Sequence, residues 1–431
     1  MKTNRRNFIS KAVAGGVAAA AMPLVGCNTS TATVVDPRAE IREKYAKLDE
    51  ILKQPVLKTE LLKEPVIIET LELLRYERSF LVHVRAKNGA EGYSVAHGGI
   101  SSLLAIFLRD VQPFFIGQDA RELDLILERI YIYHFNFRYN GIALGLPIAC
   151  AEFAILDMLG RMVNKTMAEM IGDIHNPEVG IYVATEFREK PFEEHFDLIK
   201  KAVAEYDTRA LKFKVGYQYS STKDIHYGGV PGKTEKLIPL LRETYPDFAL
   251  YSDSNGYYDV ENAIRVGKLL EESKYSYFEE PVMYDHFEDL KEVADALTIP
   301  IANGEQDQSY VHFRWSIAND GIDIVQPDNY YFGGFIRGMK VARMAEAFGK
   351  QIIPHMSGGG LGFLYDIQFV SVTPNAGAHH EFKGLDTRVP FECPTSPLKV
   401  VEGKIKVPTG PGMGVNIDPA FIKKHQVVKM A

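Results

Sequence analysis

Five acidic or imidazole side chains, Asp253, Glu279, Glu305, Asp328 and His355, each follow a short apolar run, and successive members stand 26, 26, 23 and 27 positions apart. A strand, a helix of about ten to fifteen residues and two short loops fill such an interval, so each step reads as one unit of a parallel α/β barrel. Residues at the carboxyl ends of consecutive barrel strands face one mouth. Three carboxylates converging there repel one another unless a cation sits between them, so the spacing predicts a divalent metal held by Asp253, Glu279 and Glu305. An all-oxygen donor set suits a hard ion such as Mg2+, whereas zinc takes His or Cys among its ligands. Glu280 adjoins Glu279 and stays open as the ligand of that pair. Taken singly, each acid reads as a turn or surface residue; the shared register across three strands makes them a site.

Eight β-rich runs alternate with helical stretches after Pro177: IYVAT, LKFKV, FALYSD, YSYFEE, IPIANGE, IDIVQPD, KQIIPH and GAHHEF. Strands in alternation with helices mean a parallel sheet, and eight of them predict a (β/α)8 barrel over residues 177–389. Before the boundary, residues 61–176 read as an α+β domain. Val66–Ile68 and Ser79–Val84 are expected as strands, VHVRAKNGAEGYS as a hairpin, and Ala120–Tyr133 and Ile148–Met162 as helices. The Pro-, Gly- and Val-rich segment 390–431 is expected to return to this first domain.

The amino-terminal segment sets an expected compartment. Arg5 and Arg6 precede Asn7, Phe8 and Ile9, and an Ala/Gly-rich apolar stretch then ends in Leu24, Val25, Gly26 and Cys27. That is the pattern of a twin-arginine export signal over residues 1–27, too short and too weakly apolar for a lasting membrane span. The LVGC ending resembles a lipoprotein cleavage box, which would make Cys27 a lipidated first residue and a membrane tether, with residues 28–60 as tether and linker. The expected location is therefore periplasmic, with lipid anchoring. A net charge of -7 with no basic block excludes nucleic acid as a probable partner class. Cys150 and Cys393 are the only other cysteines, so at most one disulfide forms, and two free thiols are the alternative.

LKFKVG places Lys212 and Lys214 on one face of the second barrel strand. One strand face meets helices and the other meets the interior, so both ammonium groups are directed into the mouth. Asp328 and His355 close adjacent strands, and a carboxylate beside an imidazole fixes its tautomer and raises its basicity, giving a general base. Glu381, ending the eighth strand, is a hydrogen-bond donor to a developing oxyanion if burial keeps it protonated, and a loop carboxylate otherwise.

With KFK, SDSNG, FEEP, NGEQ, QPD and PHMSGGG in chain order, the chain resembles the enolase superfamily and, within it, the mandelate racemase subgroup, over roughly residues 64–418. The resemblance implies an α+β capping domain over a modified TIM barrel. It implies Asp253, Glu279 and Glu305 as Mg2+ ligands, Lys214 as one acid/base, and His355 with Asp328 as the opposing one. Lys212 would lie near the substrate carboxylate and lower the pKa of Lys214. The implied chemistry is removal of a proton α to a carboxylate through an enolate. Dehydration of a sugar acid to a 2-keto-3-deoxy acid is the expected outcome, with a racemase or epimerase and a noncatalytic sugar-acid binder as alternatives. The expected partner is a small-molecule carboxylate, and the expected assembly a homo-oligomer. Substrate choice falls to the segment around His97, the aromatic run Tyr131–Tyr139 with Arg138, and the Tyr/Gly-rich stretch Tyr217–Gly232; the glycines after Ser357 are expected as a tight loop.

Overall fold

The computed structural model describes residues 37–134, 136, 139–216, 232–385 and 388–430. The signal with Arg5, Arg6 and Cys27, the residue Arg138 and the stretch 217–231 lie outside the described residues. Of the described residues, 41–430 form one compact unit.

In the first part of this unit, β1 (Ile68–Tyr76), β2 (Ser79–Ala86) and β3 (Glu91–Val95) form an antiparallel meander. The expected strand Val66–Ile68 thus begins two residues later and runs much further. The apolar helix Ile142–Val163 lies on this sheet. It is long and apolar enough to cross a membrane, yet 89% of its apolar window is buried inside the protein, as in a core helix. Gly92 permits that contact, because a Cβ there would stand 2.4 Å from Ala154 O and Met158 N of the helix.

The barrel strands are β4 (Glu178–Ala184), β5 (Ala210–Lys214), β6 (Ala249–Asp253), β7 (Tyr277–Glu279), β8 (Ile301–Asn303), β9 (Ile324–Val325), β10 (Gln351–Ile352) and β11 (His380–Phe382). They pair in the order β10-β9-β8-β7-β6-β5-β4-β11, each neighbour parallel. A parallel bridge between Ile352 and Ala376 links β10 to the segment entering β11. All eight expected runs are strands, and the fold is an α/β TIM-barrel-like one with a separate amino-terminal α+β portion.

In β5, Leu211 and Phe213 pack outward among helix residues such as Leu237, Leu241 and Leu270, while Ala210 joins the interior layer of Tyr182, Tyr251, Tyr277, Ala302, Ile324 and Ile353. Period-two alternation therefore sends Lys212 and Lys214 inward, and both are buried. Beneath them Tyr251 and Tyr277 stack at 4.3 Å and floor the mouth.

Both flanking segments pack on the rest of the protein. Within residues 28–60, expected as tether and linker, Pro37–Leu52 is a helix whose Leu48 and Ile51 are buried with barrel residues such as Ile199 and Leu211. Ile41, Tyr45, Leu48 and Leu52 recur at helical spacing, but the surrounding charged residues hide the stripe. The carboxyl-terminal segment pairs Gln426–Val427 with β1 and Lys404–Lys406 with β4 of the barrel. Cys150 and Cys393 are free thiols, so the single disulfide does not form.

Candidate active site

Strand register assembles the site. Lys214 pairs with Asp253, and Asp253 with Glu279, so three charged tips of β5, β6 and β7 lie side by side. Glu305, Asp328 and His355 sit beyond the ends of β8, β9 and β10 rather than on them. For Glu305 the extra reach comes through Gly304, whose φ of 126° and contact with Phe313 exclude a side chain. The evenly spaced residues still converge, because shorter strands are followed by correspondingly longer loops.

One carboxylate oxygen from each of Asp253, Glu279 and Glu305 lies within 4.8 Å of the others, and all three residues are buried. Lys212 Nζ donates to Glu279 Oε1 at 2.9 Å and Oε2 at 2.8 Å. Lys214 Nζ contacts Asp253 Oδ2 and donates to Asn255 Oδ1 at 3.0 Å. Among the described residues Glu305 pairs with no lysine and its Oε2 makes no hydrogen bond; that oxygen stands 3.4 Å from His355 Nε2.

Among the described residues, six buried carboxyl groups, Asp253, Glu279, Glu280, Glu305, Asp328 and Glu381, face three buried permanent cations, Lys212, Lys214 and Arg188. The imbalance shows in their proton affinities. Burial, opposed by Lys212 and reinforced by Asp253 and Glu305, pushes Glu279 up to about 7. Burial together with Glu305 and Asp253 pushes Glu280 well above the carboxylate range. Asp253 falls to about 2, since Lys214, Lys212 and Arg188 outweigh the cost of its burial. Such a cluster cannot keep all its carboxylates ionised without further positive charge, and the oxygen donors fit a hard divalent cation. Glu279 belongs to the triad, whereas Glu280 adopts a positive φ of 42° and accepts from Asn255 Nδ2 at 3.1 Å.

Asp328 orients the imidazole of His355. His355 Nδ1 is 2.8 Å from Asp328 Oδ2, which also accepts from Ser357 N at 3.0 Å; Oδ1 accepts from Tyr330 N and Tyr331 N, each at 2.8 Å. With Asp328 wholly engaged as an acceptor, His355 Nδ1 carries a proton and Nε2 is the atom facing the mouth. Burial alone would lower the His355 pKa, but Glu305, Asp328 and Glu381 raise it to about 10. A cation on Glu305 would act in the opposite direction.

Two expectations change. Lys212 does pull the Lys214 pKa down, but after the burial cost the Asp253 carboxylate prevails and holds Lys214 at about 12. Glu381 is buried yet stays ionised: Lys212, Lys383 and His355 outweigh burial and hold it well below the usual range, so it is an acceptor rather than a protonated donor. Lys383 Nζ lies 3.2 Å from its Oε1, and Met356 N donates to Oε2 at 3.3 Å.

Asn255 and Arg188 escaped the sequence reading. Arg188 Nη2 donates to Asn255 Oδ1 at 2.7 Å and Nη1 to Ser254 O at 3.3 Å, while Asn255 Nδ2 also reaches Glu305 Oε1 at 3.4 Å. The SDSNG motif holds the only sequence signal for Asn255; nothing in the sequence marks Arg188. A cavity of about 650 Å³ opens beside the His355 loop, between Glu77 and Arg78 of the β1–β2 turn and Gly358–Gly360.

A carboxylate triad at the mouth of a parallel barrel, with a lysine on one side and an Asp-supported histidine on the other, defines a metal-assisted acid/base enzyme. The chain belongs to the enolase C-terminal domain-like family, whose model matches residues 196–421, and so to the mandelate racemase/muconate lactonizing enzyme-like part of the enolase superfamily. It is 24% identical over 347 residues to arabinonate dehydratase of Saccharolobus solfataricus, covering 80% of this chain and 89% of that protein. It is 25% identical over 361 residues to D-galactarolactone cycloisomerase of Agrobacterium fabrum, covering 80% and 91%. Among solved structures, a putative racemase from Roseobacter denitrificans superposes with a TM-score of 0.73 at 28% identity, covering 84% of this chain and 99% of that one. A mandelate racemase/muconate lactonizing protein from Paracoccus denitrificans PD1222, complexed with magnesium, gives 0.74 at 24% identity with the same coverage, a likeness of fold.

Proposed function

We propose that this protein dehydrates a sugar acid to a 2-keto-3-deoxy acid by Mg2+-dependent removal of the proton α to the carboxylate. The observation that carries this reading is the placement of Lys214 and His355 across the barrel mouth, on β5 and after β10, with the carboxylate triad of β6, β7 and β8 between them. Asp253, Glu279 and Glu305 would hold the ion. When bound, Mg2+ supplies the positive charge that lowers the cost of a carboxylate-derived enolate. Lys212 adds a fixed charge for the substrate carboxylate. One of Lys214 Nζ and His355 Nε2 takes the α-proton, and the opposing group returns a proton. If that proton goes to the departing β-hydroxyl, water is lost and a keto acid forms; if it goes back to the α-carbon, the centre is inverted. The names of curated relatives, among them D-gluconate dehydratase of Thermoproteus tenax and L-rhamnonate dehydratase of Saccharopolyspora erythraea, favour the first outcome. Two bases in place favour the racemase as the second reading.

The test is incubation with Mg2+ and a panel of aldonic and aldaric acids in D2O, read for keto acid and for α-deuterium. Keto acid lost in Lys214→Ala and His355→Asn supports the dehydratase. Deuterium uptake without keto acid replaces it with the isomerase, and Mg2+-dependent binding with neither replaces both with a binder. We further propose twin-arginine export, lipid anchoring at Cys27 in the periplasm and homo-oligomerisation. Membrane fractionation of Cys27→Ala tests the anchor, and light scattering tests the assembly.

A further inference from the structure

One histidine connects the amino-terminal meander to the acid/base pair. His97 follows β3 and caps the single turn Gly98–Ser102, its Nδ1 accepting from Gly99 N at 3.0 Å. A ring nitrogen that accepts leaves the proton of neutral imidazole on the other nitrogen. Nε2 lies 3.2 Å from Ser357 O and therefore donates to it. Burial lowers the His97 pKa, which keeps this tautomer neutral. Ser357 passes the contact on: its N–H donates to Asp328 Oδ2, the same oxygen that takes the Nδ1 proton of His355. A second arm runs in parallel. Tyr330 donates its N–H to Asp328 Oδ1 and its hydroxyl to Val95 O at 2.8 Å, two residues before His97.

Three consecutive glycines, Gly358–Gly360, follow Ser357, so the loop's own backbone does little to fix the peptide that grips Asp328. The opposite proton carrier has no such dependence, since Lys214 is held by Asp253 and Asn255, both on the barrel. We propose that His97 is a positioning residue that sets His355 through Ser357 and Asp328, so that the capping portion governs one of the two proton carriers and leaves Lys214 unaffected. The inference rests on the reading above in that Lys214 and His355 serve opposite faces of the α-carbon.

Two substitutions separate the two bonds of His97. His97→Asn keeps an acceptor near the position of Nδ1, preserving the cap of Gly99, but is too short to reach Ser357. His97→Gln carries an amide donor out to the position of Nε2. In D2O with Mg2+, α-proton exchange is followed by NMR on C2-epimeric aldonates such as D-gluconate and D-mannonate. The Asn variant is expected to slow exchange of the epimer served by His355 by roughly tenfold or more. Exchange of the epimer served by Lys214 and the melting temperature are expected to hold, and the Gln variant to recover most of the lost rate. A substrate-free readout runs beside it: the low-field proton on His355 Nδ1, bonded to Asp328, should persist in the parent and Gln proteins and broaden away in Asn. Equal loss for both epimers, a changed KM alone, or an unchanged low-field proton in Asn overturns the proposal. Parent protein that exchanges no epimer overturns the enolate reading, and the low-field proton then decides whether His97 positions His355.

Discussion

At the residue scale the site turns on Asn255, whose amide joins what would otherwise be separate charges. Its Oδ1 accepts from Lys214 and Arg188, and its Nδ2 donates to Glu280 and toward Asp253 and Glu305. Replacing it with Ala removes the acceptor that orients Lys214 and leaves the buried Arg188 guanidinium without its strongest partner. Asn255→Ala is expected to cut turnover roughly 10–100-fold and to weaken Mg2+ binding, as loss of an outer-shell partner does; a kinetic assay with a Mg2+ titration checks both. The three triad carboxylates and the two lysines were legible in the sequence because strand periodicity and strand spacing fix their direction without any knowledge of partners. Asn255 was not, because an asparagine before glycine at a strand end reads equally well as a turn. Glu381 was legible as a site residue but not in its ionisation, which depends on Lys212 across the barrel and Lys383 two positions on.

At the element scale the helix Ile142–Val163 carries a carboxyl group with no counter-charge of its own. Glu152 is fully buried, its Oε1 accepts from Ile336 N at 2.8 Å, and its Oε2 has no hydrogen bond. Burial raises its pKa from 4.5 to about 8. A folded-state pKa above the unfolded one means the native protein binds the extra proton between those values, so the contribution of Glu152 to stability falls as pH rises from about 4.5 to 8. Glu152→Gln does not titrate and keeps the bond to Ile336. The variant's melting temperature relative to the parent is therefore expected to climb across that window and level off above it; a constant difference would show that Glu152 is ionised throughout. Elements were legible where apolar runs were long or regular, as in β5 and in this helix. The helix Pro37–Leu52 was not, because its apolar stripe is thin and its stability comes from barrel residues distant in sequence.

At the scale of the whole molecule, barrel and carboxylate triad are one folding problem. Among the buried carboxyl groups, Glu279 and Glu280 are pushed up in pKa, so holding them ionised costs the native state stability, and a divalent ion would relieve that cost only when the barrel is closed. Mg2+ should therefore raise the melting temperature, by an amount equivalent to about 2.7 kcal/mol at a hundredfold excess over its dissociation constant, and a chelator should reverse the gain. The choice of variant matters. Asp253→Asn and Glu279→Gln would strand Lys214 and Lys212 in the interior without a full counter-charge, so a fall in stability would say nothing about metal. Among the described residues Glu305 is the triad member with no lysine partner, and its Oε2 makes no hydrogen bond. Glu305→Gln should thus leave the metal-free protein as stable as the parent or more so, while abolishing the Mg2+ response in a thermal melt. Retention of that response would place the ion elsewhere than among Asp253, Glu279 and Glu305. A large loss of metal-free stability would mean instead that the ion pair of Glu305 with His355, 3.4 Å apart, does more to hold the barrel closed than carboxylate repulsion does to open it.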